Sequence, residues 1–196
     1  MVHKFPIEKR SELDSPGRKR LFGPVKALKA LGIGKRMVVA DIGCGTGFLA
    51  VALARLVGPA GRVLAVDISR EMLADARIRI KKEKLRNVEL ILSRENRIPV
   101  RPRSVDYCLL VSVVHELENK TLFLRELKRL LKKDGKVGVI EWKKIPSRQG
   151  PPLQERISIA ATRRMFIKNG FAVKKTFGLG AHNYAVTATV QGAAND

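Results

Sequence analysis

The sequence predicts an α/β fold in which helices cover both faces of a mostly parallel sheet. Seven short apolar segments have the length and composition of strands, and helical patterns lie between most of the first five. The last two alternate around a glycine-containing turn, as antiparallel partners do. We therefore expect a three-layer αβα sandwich with a seven-stranded, mostly parallel sheet and a C-terminal antiparallel hairpin. The predicted strands are 38–40, 63–67, 88–92, 105–111, 137–140, 171–177 and 184–190.

Length and composition favour one globular domain. The chain has 196 residues, of which 45% are hydrophobic, enough for a full core. Residues 1–20 are polar and basic and predict an N-terminal arm, which leaves 21–196 as a single domain. We find no run of about eighteen apolar residues and no apolar signal core near Met1, so we expect a cytoplasmic protein without a membrane span. Cys44 and Cys108 fit neither a disulfide framework nor a metal site.

The formal net charge of +21 suggests an anionic partner such as RNA, or else a solvated surface. Lysine and arginine are spread over the chain and fall largely on predicted helix faces, which favours the solvated surface. Aromatic residues make up only 5% of the chain and do not interleave with the basic runs, as they do in many single-strand binders. RNA stays open as a second alternative.

A glycine-rich turn after the first strand predicts a nucleotide-type cofactor. Gly43, Gly45 and Gly47 allow the backbone positive φ angles and close approach to a ligand, and we expect Thr46 to cap the following helix. A phosphate-binding loop of NTPases would place lysine after the last glycine, where this chain has Phe48. The dinucleotide fingerprint would also require glycine at position 48.

A second strand that ends in Asp67 supports this prediction. A carboxylate at the carboxyl end of the second strand of a βαβ unit can accept both hydrogen bonds of a ribose diol. Dinucleotide enzymes use an acid at a similar place, so Asp67 indicates an adenosine-type ligand without separating the cofactors.

The pattern D-x-G-x-G-x-G over 41–47 resembles the first motif of the class I S-adenosylmethionine-dependent methyltransferases, and the order of predicted elements resembles their Rossmann-like fold. Residues 132–136 are similar to a turn of the quinone-biosynthesis branch, although they lack its proline. The resemblance implies S-adenosylmethionine as cofactor, with S-adenosylhomocysteine as product. The cofactor-binding residues that it implies are Asp41, Gly43, Cys44, Gly45, Thr46, Gly47, Asp67, Ile68, Arg94, Glu95 and Ser112.

Side chains that follow the fourth and fifth strands are the candidates for catalysis, because ligands of open α/β sheets bind outside the carboxyl ends of the strands. His115 has the near-neutral pKa of a general base, and Glu141 is placed to contact the methyl acceptor. No metal site is expected. The predicted function is methyl transfer to a small molecule. The alternatives are an RNA or protein methyltransferase and a non-catalytic cofactor-binding module; the oligomeric state stays open.

Overall fold

The computed structural model describes residues 5–8, 10, 23–147 and 149–192. Most of the predicted basic arm, 1–20, therefore lies outside the described residues, and the division into arm and domain stays a prediction. The described helices are α1 (Pro24–Ala30), α2 (Phe48–Val57), α3 (Arg70–Lys82), α4 (Lys120–Leu130) and α5 (Ile159–Lys168). The strands are β1 (Val38–Ile42), β2 (Arg62–Asp67), β3 (Val88–Leu92), β4 (Val105–Val111), β5 (Leu131–Trp142), β6 (Phe171–Leu179) and β7 (Asn183–Val190).

The strands form one seven-stranded sheet in the order β3-β2-β1-β4-β5-β7-β6. The first five strands pair in parallel, and β7 is antiparallel to both β5 and β6. The predicted architecture, including the C-terminal antiparallel pair, is confirmed. Connections from β1 run outward to β2 and β3, whereas β4 lies on the other side of β1. This reversal opens a crevice at the carboxyl ends of β1 and β4, where an open α/β sheet binds ligands.

The sheet is covered on both faces, so its central strands are apolar without alternation. One core cluster joins Ala40, Cys108 and Val139 to α4 and α5 through Phe123 and Phe166. The other cluster packs the opposite side chains of the same strands against α1 and α2. Both cysteines are free and buried, in agreement with the prediction. Within the described part of the chain, no helix has the length and apolarity needed to cross a membrane.

Several predicted boundaries differ from the observed ones, and two differences affect the site. Helix α2 begins at Phe48, because Gly47 takes a left-handed conformation at the N-cap, φ 77° and ψ 17°. The N-cap residue is accordingly Gly47 and not Thr46. The predicted fifth strand, 137–140, is longer at both ends, because Leu131 already pairs with Val105 and the ladder continues to Trp142. Residues 132–136, which were predicted as a turn, belong to β5 instead. The register between β4 and β5 shifts there, because Val105 pairs with Leu131 and Tyr107 with Lys136.

Candidate active site

The glycine turn between β1 and α2 is shaped by close contacts that leave no room for side chains. Gly43 has φ 71°, and a Cβ there would lie 2.5 Å from Cγ2 of Val113 in the segment after β4. Gly47 has φ 77°, and a Cβ there would lie 3.0 Å from Cβ of Ala76 on α3. Gly43 therefore permits contact with the β4 segment, whereas Gly47 permits close packing of the turn against α3.

Asp67 fixes the turn from the neighbouring strand. Its Oδ2 accepts a hydrogen bond from the backbone N–H of Gly45 at 2.8 Å, and its Oδ1 accepts one from the N–H of Ser69 at 2.9 Å. Burial raises the pKa of the Asp67 carboxyl, although these backbone donors oppose the shift. A carboxylate has about four acceptor sites, so these backbone donors leave capacity for a ligand.

A cavity of about 1110 Å³ extends from this turn. It is larger than the roughly 300–1,000 Å³ typical of a small-molecule site, so it has room for a cofactor and a second molecule. Ten of the predicted site residues line it, namely Asp41, Gly43, Cys44, Gly45, Thr46, Asp67, Ile68, Glu95, Ser112 and His115. The other three, Gly47, Arg94 and Glu141, are not among its lining residues.

The segment after β3 carries Arg94 and Glu95, two of the predicted cofactor-binding residues, and places them differently. Arg94 is exposed and forms an isolated antiparallel bridge with Arg97. Glu95 lies at the cavity, where its Oε1 accepts from the backbone N–H groups of Glu118 and Asn119 at 3.0 and 3.3 Å. Of the two, Glu95 is therefore the residue within reach of a ligand in the cavity.

His115 and Glu141 form a buried pair. The Glu141 carboxylate, 1% exposed, holds His115 Nδ1 at 2.9 Å through Oε2 and accepts from the Val114 N–H at 2.8 Å through Oε1. Since the carboxylate is an acceptor, Nδ1 carries the proton and Nε2 is left as the basic nitrogen. Glu141 thus lies behind His115, and the imidazole is the member of the pair that lines the cavity.

Charges around His115 favour its protonated form. Burial lowers the pKa of the imidazole, but the hydrogen bond and charge of Glu141, with the charges of Glu116 and Glu155, outweigh burial and raise the pKa above 6.5. Glu116 Oε1 lies 3.6 Å from His115 Nε2, and burial raises the pKa of the Glu116 carboxyl. Ser112 lies between β4 and the segment that carries His115. It has φ 58°, a conformation that non-glycine residues rarely adopt.

Arg156 is the residue of this site that the sequence did not reveal. It is 4% exposed, and its guanidinium donates to the carbonyls of Pro151, Ile145 and Gln149 at 2.7–2.8 Å. It also stacks on the ring of Trp142, 5.4 Å from the centroid. These contacts fold the proline-rich segment after β5 into one wall of the cavity. Backbone carbonyls carry no sequence signature, so no motif marks this role.

The sheet order, the glycine turn after β1 and the acid that ends β2 together define a class I S-adenosylmethionine-dependent methyltransferase. Known proteins agree with this class. A family model described as a methyltransferase domain matches residues 33–158, which is more than half of the chain, and the chain belongs to that family. A crystal structure of a SAM-dependent methyltransferase from Aquifex aeolicus is 36% identical, with a TM-score of 0.92, over 94% of this chain and 98% of that chain.

Curated relatives match a shorter region. A demethylmenaquinone methyltransferase from Geobacillus sp. (strain WCH70) is 32% identical over 58% of this chain and 49% of its own length. One from Lactobacillus johnsonii is 34% identical over 52% of this chain and 42% of its own length. The chain thus spans about half the length, or less, of the curated relatives that it matches.

Proposed function

We propose that this protein transfers the methyl group of S-adenosylmethionine to a small molecule, and that His115 removes the acceptor's proton. The observation that carries the proposal is one continuous cavity that reaches from the glycine turn and Asp67 to the imidazole of His115. In methyl transfer, the acceptor approaches the methyl carbon of S-adenosylmethionine from the side opposite the sulfur. Cofactor and acceptor must therefore be held next to each other in one cavity.

The turn fits the cofactor on steric and polar grounds. A Cβ at Gly43 would overlap Val113, so this position favours glycine. The backbone beside the cavity therefore carries no side chain that would block a ligand. Asp67 is the residue to hold the ribose hydroxyls, Glu95 is the candidate for the adenine amino group, and Asp41 is the candidate for the ammonium group. The cofactor, when bound, supplies an activated methyl group, so the remaining tasks of the protein are alignment and proton removal.

Proton removal is assigned to His115 Nε2. Glu141 holds the opposite nitrogen at 2.9 Å, which orients the ring and stabilises the imidazolium that forms when the acceptor's proton arrives. Glu141 therefore acts as a positioning residue rather than through contact with the acceptor. Among the described residues, no group of three or more histidine, cysteine and acidic side chains would hold a metal ion.

A small-molecule acceptor is supported by the shape of the cavity and by the relatives. Apolar side chains form much of the wall, among them Leu117, Phe123, Trp142 and Leu153. The curated relatives are named for methylating demethylmenaquinone, which points to a ring compound of the quinone type. The net charge of +21 favours RNA or another anionic partner as the second candidate.

Calorimetric titration with S-adenosylhomocysteine tests the cofactor site. We expect Asp67→Ala to weaken binding about tenfold to a hundredfold, because a hydrogen bond to a charged group contributes roughly 1.5–3 kcal/mol. Asp106→Ala is the matched control, since Asp106 also accepts from a backbone N–H, that of Val38 at 2.8 Å, but at the start of β4. Equal affinities for the wild type and Asp67→Ala would remove Asp67 from the site.

A further inference from the structure

The charges that line the cavity are opposite in sign to the charge of the chain. The chain carries a formal net charge of +21, yet five acidic residues are among the described residues that line the cavity: Asp41, Asp67, Glu95, Glu116 and Glu155. Arg156 is the one arginine in this lining, which contains no lysine. Among the described residues, the excess of basic side chains therefore lies outside the cavity lining.

The guanidinium of Arg156 is largely committed to backbone carbonyls. Of its five N–H groups, four donate to the carbonyls of Pro151, Ile145 and Gln149 at 2.7–2.8 Å and of Lys143 at 3.4 Å. One of its faces lies over the ring of Trp142. To bind a phosphate or a carboxylate, Arg156 would have to release part of the segment that it holds. The other cation of the described lining is protonated His115, whose charge is already met by Glu141 Oε2 at 2.9 Å and by Glu116 Oε1 at 3.6 Å.

Two of the five acids surround the proposed base. Glu116 Oε1 is 3.6 Å from His115 Nε2, beyond hydrogen-bonding distance, and Glu155 is close enough for its charge to act on the same imidazole. His115 itself is 9% exposed and lines the cavity, and Nε2 is the ring nitrogen that Glu141 does not hold. A group that approaches Nε2 therefore meets the Glu116 carboxylate beside it and the charge of Glu155.

We infer that the acceptor part of this cavity selects molecules without phosphate or carboxylate groups, and that Glu116 and Glu155 set this selection. The inference rests on the proposed function and narrows its acceptor. An anionic acceptor would be repelled by both carboxylates, and the charge of protonated His115 is already compensated by Glu141. A molecule that offers hydroxyl or amine donors would satisfy them, while its apolar body packs on Trp142 and Leu153. Nucleic acid phosphates are excluded by the same rule, whatever the outer surface binds.

The only tryptophan of the chain makes this inference measurable, because Trp142 lines the cavity. Quenching of its fluorescence by iodide, caesium and neutral acrylamide reports the local potential at the ring. Each kT of negative potential lowers the local iodide concentration about threefold relative to bulk and raises caesium by the same factor. The measurement is made at equal ionic strength, with and without S-adenosylhomocysteine.

Each quenching constant is divided by that of free N-acetyltryptophanamide with the same quencher, because iodide and caesium differ in intrinsic efficiency. We expect the normalised constant of iodide to be at least about threefold below that of caesium. The double variant Glu116→Gln/Glu155→Gln should bring the two ions to within about twofold of each other. Glu89→Gln is the control, because Glu89 is an exposed acid that pairs with Arg62 on β2, and it should leave the wild-type ratio unchanged.

Iodide quenching equal to or stronger than caesium quenching in the wild type would overturn the inference, as would a double variant with the wild-type ratio. The measurement needs neither bound cofactor nor turnover. Loss of S-adenosylhomocysteine binding together with iodide exclusion would therefore refute the proposed function and leave the charge of the cavity established.

Discussion

Replacement of Gly43 tests whether the turn is shaped by the segment after β4. An alanine at φ 71° costs roughly 1–2 kcal/mol in backbone strain. Its Cβ would also lie 2.5 Å from Val113 Cγ2, and overpacking of this kind costs about 1–3 kcal/mol more. We therefore expect Gly43→Ala to lower the free energy of unfolding by about 2–5 kcal/mol and to abolish measurable binding of S-adenosylhomocysteine.

The steric part of this cost can be separated in a double-mutant cycle. Val113→Ala removes both γ-methyl groups, and the remaining Val113 Cβ would be 3.7 Å from the new Cβ, which is ordinary contact. The double variant should therefore regain about 1–3 kcal/mol relative to the sum of the single variants, whereas the backbone strain at Gly43 remains.

Urea unfolding of the four proteins measures the coupling, with Gly32→Ala as a control. Gly32 has φ 86°, but no atom of the described residues would lie within 4 Å of a Cβ there, so alanine should cost only the backbone strain and leave cofactor affinity unchanged. Strictly additive costs in the cycle, or a Gly43→Ala variant as stable as Gly32→Ala, would refute the steric account of the turn.

Three further predictions concern the other end of the cavity. Glu141→Gln should lower the apparent pKa of the rising limb of kcat/KM, because the wild-type base form of His115 appears only as the pH rises through a pKa above 6.5; an unmoved limb would exclude His115 as the base. Gly150→Ala places a Cβ 2.6 Å from the Trp142 ring at φ 87°, so it should reduce turnover at least about tenfold with S-adenosylhomocysteine affinity retained, and parallel loss of both would contradict a role confined to the acceptor wall. Glu116→Gln should raise the melting temperature at pH 7 and not at pH 3, because burial raises the folded pKa of this carboxyl, and such a group loses its stabilising contribution as the pH rises through that value; a variant less stable than wild type at pH 7 would contradict this expectation.

The fold was predictable because the central strands are buried on both faces. Apolar runs without alternation, such as 105–111, indicate strands covered on both sides when they lie between helical patterns. The cap of α3 also follows a local rule, since Ser69 Oγ accepts from the Met72 N–H at 3.1 Å, the N-cap contact that serine favours. Local rules failed where tertiary contacts decide the backbone. Gly47 rather than Thr46 caps α2 because the turn packs against Ala76, on another helix.

The contacts within the site required the pairing of strands that are distant in sequence. His115 and Glu141 were both predicted, but their contact depends on the parallel register of β4 and β5, which brings residues 26 positions apart to 2.9 Å. Arg156 was not predicted because its partners are carbonyl groups, which every residue has. The role of Val113 was not predicted for a similar reason. An apolar residue after a strand gives no sign in the sequence that its side chain excludes a Cβ at Gly43.

The most direct test of the central claim is transfer of a radiolabelled methyl group from S-adenosylmethionine into a cell extract, which is then separated into RNA, protein and small-molecule fractions. We predict label in the small-molecule fraction with the wild type and its loss with His115→Ala. Label in RNA or protein would contradict the small-molecule acceptor and turn the basic surface into a recognition surface. Intact S-adenosylmethionine after incubation with the whole extract would contradict the methyltransferase account and favour a non-catalytic cofactor-binding protein.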